Sequence, residues 1–161
     1  MVALSPQGFL DLGSLRLEYR MIGPPPDAAP TIVMLHEGLG CVGLWGDVPD
    51  KLQAATGAGV FVYSRAGYGQ SSPVALPRPL TFMHDEAREV LPQVLDAIGF
   101  RRGLLLGHSD GASIAAIYAG SVEDHRVRGL VLIAPHFVTE DMGIAEIARA
   151  KEVYATSDLR A

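Results

Sequence analysis

Cysteine is nearly missing from this chain of 161 residues. Cys41 stands alone, so no internal disulfide can form. A disulfide-stapled scaffold is excluded, and the usage fits a reducing compartment. Basic clusters are missing as well. Thirteen Lys and Arg stand against eighteen Asp and Glu, a formal charge of −5. That balance argues against nucleic acid or an anionic membrane as partner. No apolar run approaches the ~20 residues of a membrane span. The opening Met1 to Pro6 has neither the charged nor the apolar region of a secretory leader. The expectation is a soluble, cytoplasmic protein. No set of His, Cys, Asp and Glu has metal-ligand spacing, and no internal repeat or low-complexity stretch interrupts the chain. What is present is a composition 48% hydrophobic, enough for the core of one domain.

The hydrophobic pattern alternates between strand and helix. Gly8 to Ile22 reads as two strands around a turn at Asp11-Leu12-Gly13-Ser14. The second alternates apolar and polar residues, as a half-exposed edge strand should. Thr31 to Leu35 and Val60 to Tyr63 are short apolar runs rich in β-formers, hence buried strands. A helix is expected across about Asp47 to Thr56. Another begins at Thr81, an N-cap residue, and carries Ala87, Val90, Leu91, Val94, Leu95 and Ile98 at helical spacing until Gly99 closes it. Pro92 lies inside that pattern and should kink it. Leu130 to Ile133 is a further apolar strand, and Thr139 to Ala155 reads as helix with Ile144, Ile147, Ala148 and Tyr154 on one face. Strands alternating with helices imply a mostly parallel sheet covered on both faces, with sites at the C-terminal ends of its strands.

The chain's centre is Leu104-Leu105-Leu106-Gly107-His108-Ser109-Asp110-Gly111-Ala112-Ser113. An apolar strand runs into a G-x-S-x-G pentapeptide, and a small-residue helix follows. That order is what a nucleophile elbow requires. Gly107 and Gly111 lack a Cβ, so strand and helix can approach closely around a strained turn. Ser109 would then stand at a strand end above a helix start, where the dipole and the free N–H of Asp110 favour a developing oxyanion. The plainer reading makes Ser109 an N-cap after a glycine turn.

With these motifs the chain resembles the α/β-hydrolase superfamily. Gly107 to Gly111 resembles its elbow. Leu35-His36-Glu37-Gly38-Leu39-Gly40 resembles its His-Gly loop, and Ser64-Arg65-Ala66-Gly67-Tyr68-Gly69-Gln70-Ser71 its D-R-x-G-x-G-x-S turn. The resemblance implies hydrolysis of a small ester-like or acyl substrate. Ser109 is the catalytic nucleophile, and the backbone N–H of Asp110 is one oxyanion donor. The second donor is Gly38 if the loop keeps its length, or Leu39 if it slips by one. His36, Glu37 and His136 are possible pocket-lining residues, His36 with the further role of fixing the loop. No cofactor or metal is required.

Two departures stand out: Glu37 occupies the usual glycine position, and Ser64 occupies the usual acidic one. The larger departure is absence. The family's acid and histidine follow later strands, and the 27 residues after Ala134 read as one loop and one helix. The resemblance therefore casts 1–161 as the N-terminal part of such a domain, with about 138–161 entering a lid or cap. Thr156-Ser157-Asp158-Leu159 reads as a helix start. A fragment of this kind is expected to be inactive alone. Leu130 to Ile133, apolar on both faces, would be an exposed edge, open to a second copy or a complementing chain.

Two other function classes compete. Gly38, Gly40 and Gly43 form a G-x-G-x-x-G after a strand, with Arg65 downstream as a 2′-phosphate partner, the pattern of a dinucleotide-binding module. A non-catalytic binding protein on the hydrolase fold is the other. Among the remaining histidines, His84 reads as a solvated first-turn residue, His125 as a loop residue and His108 as a packing residue. His136, without a carboxylate to fix its tautomer, reads better as pocket lining than as a base. Asp110's side chain reads as a helix cap.

Overall fold

A computed structural model describes residues 4–138 and 140–156 of the chain. The two N-terminal strands form around Gly13, whose φ of 73° lies in the left-handed region. β1 (Gln7–Leu12) and β2 (Leu15–Ile22) pair antiparallel. The alternation in β2 was expected to mark an edge strand, and this is corrected. β2 lies between β1 and β4 (Gly59–Tyr63), paired on both sides. Its alternation reflects two faces instead: Leu17, Tyr19 and Met21 are buried, and Arg16, Glu18 and Arg20 point the other way.

The six strands run in the order β1-β2-β4-β3-β5-β6. β3 (Thr31–Leu35) sits between β4 and β5 (Gly103–His108), and β6 (Val127–Ile133) lies beyond β5. The pairings β4–β3, β3–β5 and β5–β6 are all parallel, so these four strands end on one side of the sheet. Every residue of β3 and β4 is buried, as expected for strands covered on both faces. Val33, Leu35, Phe61, Tyr63 and Leu105 enter one apolar cluster, and Ile32, Met34, Val60, Val62 and Leu106 enter another on the opposite face. The alternation of period two divides one run of residues between two cores. Each fully buried Val, Leu or Phe contributes about 1.5–3 kcal/mol.

Helices supply the covers. α1 (Val48–Thr56) is preceded by a 3₁₀ turn at Val42–Trp45, and Trp45 and Leu52 pack on the smaller cluster. The larger cluster takes Ala87, Leu91, Val94 and Leu95, together with Ile114 and Tyr118 of α4 (Asp110–Ser121). The stress at Pro92 is absorbed by a π-helical stretch, Glu86–Val90, between α2 (Phe82–Asp85) and α3 (Leu91–Ala97). A wider turn there accommodates the proline ring, which would otherwise strike the carbonyl four residues back. Thr81 makes no cap bond to the backbone, because its hydroxyl donates to the Asp85 carboxylate at 2.8 Å instead.

The far side of the sheet is less covered. Among the described residues β6 pairs only with β5, and Val131 and Ile133 are 40% and 46% exposed. α5 (Asp141–Thr156) has no buried residue, and Ile144, Ile147 and Tyr154 are exposed. Thr139 and Ser157-Asp158-Leu159, read above as helix starts, lie outside the described residues.

Candidate active site

The junction of β5 and α4 is a tight reversal at one residue. Ser109 has φ 53° and ψ −117°, left-handed for a residue that is not glycine. Such backbone costs on the order of 1–3 kcal/mol and persists only where its surroundings enforce it. Here two glycines do so. A Cβ on Gly107 would overlap the Gly111 carbonyl, and one on Gly111 would overlap the Leu35 carbonyl. Strand, helix and β3 meet backbone to backbone, which only these two glycines permit. The first helical bonds onto Ser109 O come from Ala112 and Ser113, at 3.0 and 3.1 Å. The N–H groups of Asp110 and Gly111 thus have no intrahelical partner at the positive end of α4.

The turn after β6 comes to meet this point. Ala134, at φ 50°, is the other non-glycine residue with left-handed backbone among those described. Ser109 N–H donates to Ile133 O at 2.8 Å, and His136 N–H donates to Ser113 Oγ at 2.8 Å. These bonds set His136 Nε2 2.7 Å from Ser109 Oγ. The imidazole is 56% exposed. Asp110 does not cap its helix as expected; its Oδ1 lies 3.5 Å from His136 Nε2 and its Oδ2 4.0 Å from Arg65 Nη2. The carboxylate thus lies beside His136 and Arg65 instead of on the helix end.

The loop after β3 is held from below. His36 is fully buried, so it does not line a pocket. Its Nε2 accepts the Arg65 backbone N–H at 3.0 Å, which leaves Nδ1 as the protonated nitrogen, donating to Glu37 O at 2.7 Å. Burial, reinforced by the Arg65 guanidinium, pulls its pKa down to about 3. Arg65 Nη2 donates to the same Glu37 carbonyl at 3.0 Å. Gly38 lies against the site: a Cβ there would stand 2.9 Å from Asp110 Oδ2. Leu39 is 71% exposed. The Glu37 carboxylate folds over Gly40 and approaches His108 Nδ1 at 3.6 Å. His108, expected to pack, is therefore half-exposed beside Glu37 with Trp45 at its edge.

The turn after β4 is completed by a residue that sequence reasoning missed. Ser64 is buried where the related motif has a carboxylate. Glu18 of the neighbouring strand β2 supplies one, accepting Ser64 Oγ–H at 2.7 Å and Gln70 N–H at 3.1 Å. The available signal was a lone acid between the core residues Leu17 and Tyr19. Below the turn, Tyr63 donates to half-buried Glu86 at 2.9 Å, and desolvation of the carboxyl raises the Glu86 pKa.

The dinucleotide geometry is not what Gly38, Gly40 and Gly43 form. Gly43 lies within the 3₁₀ turn, α1 starts only at Val48, and Arg65 is 3% exposed beneath the loop, out of a ligand's reach. Among the described residues no three His, Cys, Asp or Glu side chains could hold a metal ion, and no helix is long and apolar enough to cross a membrane. A cleft of about 480 Å³ beside Tyr118, Glu123 and Arg128 lies at the opposite end of α4 from Ser109.

A family model described as alpha/beta hydrolase fold matches residues 30–152. The human (Lyso)-N-acylphosphatidylethanolamine lipase is 32% identical over 114 residues, covering 71% of this chain and 32% of the lipase. The proline iminopeptidase of Lactobacillus delbrueckii subsp. bulgaricus is 27% identical over 124 residues, covering 77% of this chain and 42% of that enzyme. A solved carboxylesterase structure from the thaumarchaeon Nitrososphaera gargenis superposes with a TM-score of 0.77 at 22% identity, over 93% of this chain and 54% of its own. The chain spans about a third to two fifths of the length of these two curated relatives.

Proposed function

This chain belongs to the alpha/beta hydrolase fold family, and from that premise we propose that it carries the nucleophile half of a serine hydrolase acting on a small ester-like or acyl substrate. The observation that carries the reading is the backbone of Ser109, a left-handed serine held at a strand–helix junction by two glycines. In this reading Ser109 Oγ attacks the acyl carbon while a histidine takes its proton. The carbonyl oxygen becomes an oxyanion, held by the N–H of Asp110 and that of Gly38 or Leu39. Collapse expels the alcohol or amine with a proton from the imidazole, and water repeats the sequence to release the acid.

We read Glu37 and His136 as lining the approach to Ser109, with the exposed Leu39 and Phe137 on the same two loops. The two curated relatives carry the names of a lipase and an iminopeptidase, so both ester and amide bonds are reasonable classes to screen. Segment 138–161 is read as the entry to a lid, and the free edge of β6 as the place where further strands or a second chain would add.

The test is a fluorophosphonate probe followed by peptide mapping. With the rest of the site supplied by a complementing segment, Ser109 is expected to be labelled and other serines not. Ser109→Ala is expected to abolish labelling and to drop any acyl hydrolysis by at least about 10⁴-fold, since removing the nucleophile leaves only binding and oxyanion stabilisation. Unlabelled Ser109 in the folded protein would favour a binding role on the same fold.

A further inference from the structure

We propose that Glu37 is a positioning residue for the oxyanion site: its carboxylate, laid over Gly40 against His108, steadies the peptide that presents the Gly38 N–H. The inference deepens the serine hydrolase reading and rests on it. The Glu37–Gly38 peptide is gripped from below. Its carbonyl accepts His36 Nδ1–H at 2.7 Å, Arg65 Nη2–H at 3.0 Å and Gly40 N–H at 3.1 Å. The peptide is trans, the cis bond among the described residues being Leu76–Pro77. In a trans peptide N–H and C=O point opposite ways. Three donors on the Glu37 carbonyl therefore turn the Gly38 N–H away from the buried His36 and Arg65. That N–H has no protein acceptor among the described residues. Gly38 itself lies against Asp110, whose N–H is the other donor in that reading. Among the described residues no donor holds the Gly38 carbonyl in the same way, so the geometry favours Gly38 over Leu39.

The side chain of Glu37 ties the loop from its other side. Its carboxylate folds back over Gly40 and stops 3.6 Å from His108 Nδ1. A Cβ on Gly40 would lie 2.6 Å from the carboxyl carbon, so that path is open only over glycine. His108 is the residue before Ser109, at the end of β5, and Trp45 meets its ring at 62° with centroids 6.5 Å apart. The loop is thereby tied to the residue next to the nucleophile. The carbonyl grip sets which way the Gly38 N–H points, and the Glu37–His108 contact sets where the loop stands relative to Ser109. A donor lowers the barrier only if it already points where charge will develop. Both side chains are partly exposed, so their contact adds little stability and its effect falls on position.

The experiment has two readouts. The first is the residual dipolar coupling of the Gly38 N–H in the ¹⁵N-labelled protein, which reports the direction of that bond without turnover. The second is fluorophosphonate labelling of Ser109 against probe concentration, with the rest of the site supplied by a complementing segment. In that step the Oγ–P bond forms and P–F breaks, fluoride leaves, the Oγ proton passes to the base, and the phosphoryl oxygen gains charge. Glu37→Ala is expected to shrink the Gly38 coupling by motional averaging, while Leu35 and Gly107 in the sheet keep theirs. It should slow the limiting labelling rate by about 10-fold, part of the roughly 10²–10³-fold that loss of a whole oxyanion donor costs. The half-saturating probe concentration should stay, because the donor acts on charge that develops only in the transition state. Gly40→Ala, which displaces the carboxylate, should reproduce Glu37→Ala. Glu37→Gln, which keeps the reach and an acceptor, should recover most of the rate. Glu37→Ala combined with His108→Ala should be no slower than either alone, as for two halves of one contact. An unchanged Gly38 coupling in Glu37→Ala, or a full labelling rate, overturns the assignment and leaves the serine reading standing. So does a shift of rate and half-saturation together, the mark of a loop that has merely collapsed. If the unmodified protein is not labelled at Ser109, the serine reading falls and this one with it.

Discussion

His36 follows β3 directly and His136 follows β6 by three residues, on the same side of one sheet. The first is sealed. Both its ring nitrogens are engaged by backbone groups, and burial holds it neutral far below the usual imidazole range. The second is more than half exposed, and its Nε2 faces a hydroxyl. The difference lies in what surrounds each ring. An imidazole that has spent both nitrogens on backbone has no capacity left for proton transfer, whereas one with a free nitrogen and solvent access does. The His36 ring is spent on holding the loop that carries Gly38 and Leu39, whereas the His136 ring keeps a nitrogen that no backbone group engages.

The largest effect is expected at the joint between the two regions. Gly111 sits beside Ser109, and its missing Cβ makes room for the Leu35 carbonyl; a Cβ there would also lie 2.7 Å from His36 O. Neither backbone can retreat, because Leu35 pairs with Gly107 in the sheet. Gly111→Ala is expected to cost at least about 4 kcal/mol, at the severe end for one substitution, or to prevent cooperative folding. Thermal unfolding by circular dichroism reads it. A near-native melting temperature would mean that the elbow and the His36 loop are not tightly joined.

The next effect separates the histidines themselves. His36→Ala leaves the Arg65 N–H without its acceptor in a fully buried place and opens a void, for a loss of about 3 kcal/mol. His136→Ala is expected to change stability by less than about 0.5 kcal/mol, as exposed substitutions do. The pH dependence sharpens the contrast. An unfolded histidine titrates near about 6.5, and folded His36 near about 3. Between those values the unfolded chain binds a proton that the folded chain refuses. The His36 contribution is therefore complete above pH about 6.5 and is lost as the pH falls toward about 3, on the order of 5 kcal/mol in all. His36→Gln cannot titrate, so its denaturation midpoint should fall less steeply over that window. Glu86, whose raised pKa acts in the opposite sense, is common to both chains and cancels in the difference. Parallel curves would show that His36 is not the buried neutral base described.

The sequence makes some of this contrast visible and hides the rest for identifiable reasons. β3, β4 and β5 are legible because strands covered on both faces read as unbroken apolar runs. The elbow is legible because close backbone approach demands glycine, and Gly107 and Gly111 announce it. The position of β2 was not legible, since alternation reports which face is wet and not which strands pair. His136 reaching Ser109 was not legible either. The turn that swings it inward is made at Ala134, a residue whose type carries no sign of left-handed backbone. Asp110 turning from its helix end to the His136 and Arg65 side depends on neighbours brought from 26 and 45 residues away.

The smallest effect probes the support beneath the His36 loop. Arg65, which caps His36, follows Ser64, and Ser64 departs from the acidic residue of the related motif. The motif alone suggests that Ser64→Asp would restore a missing interaction. The geometry gives the opposite sign. The Glu18 carboxylate already lies 2.7 Å from Ser64 Oγ and also holds the Gln70 N–H, while Ser64 Oγ accepts the Val42 N–H at 2.9 Å. A second carboxylate in this buried place would face the first, and like charges at that separation repel. Ser64→Asp alone is expected to cost about 1–2 kcal/mol, a scale set by a buried hydrogen bond lost together with an unpaired charge. Combined with Glu18→Gln, which removes the competing charge and keeps an acceptor, most of that cost should return, so the two substitutions couple favourably in a double-mutant cycle. Urea denaturation of the four proteins measures the coupling. Additive losses would mean that Glu18 and Ser64 act independently, and that the carboxylate from β2 does not stand in for the one the turn lacks.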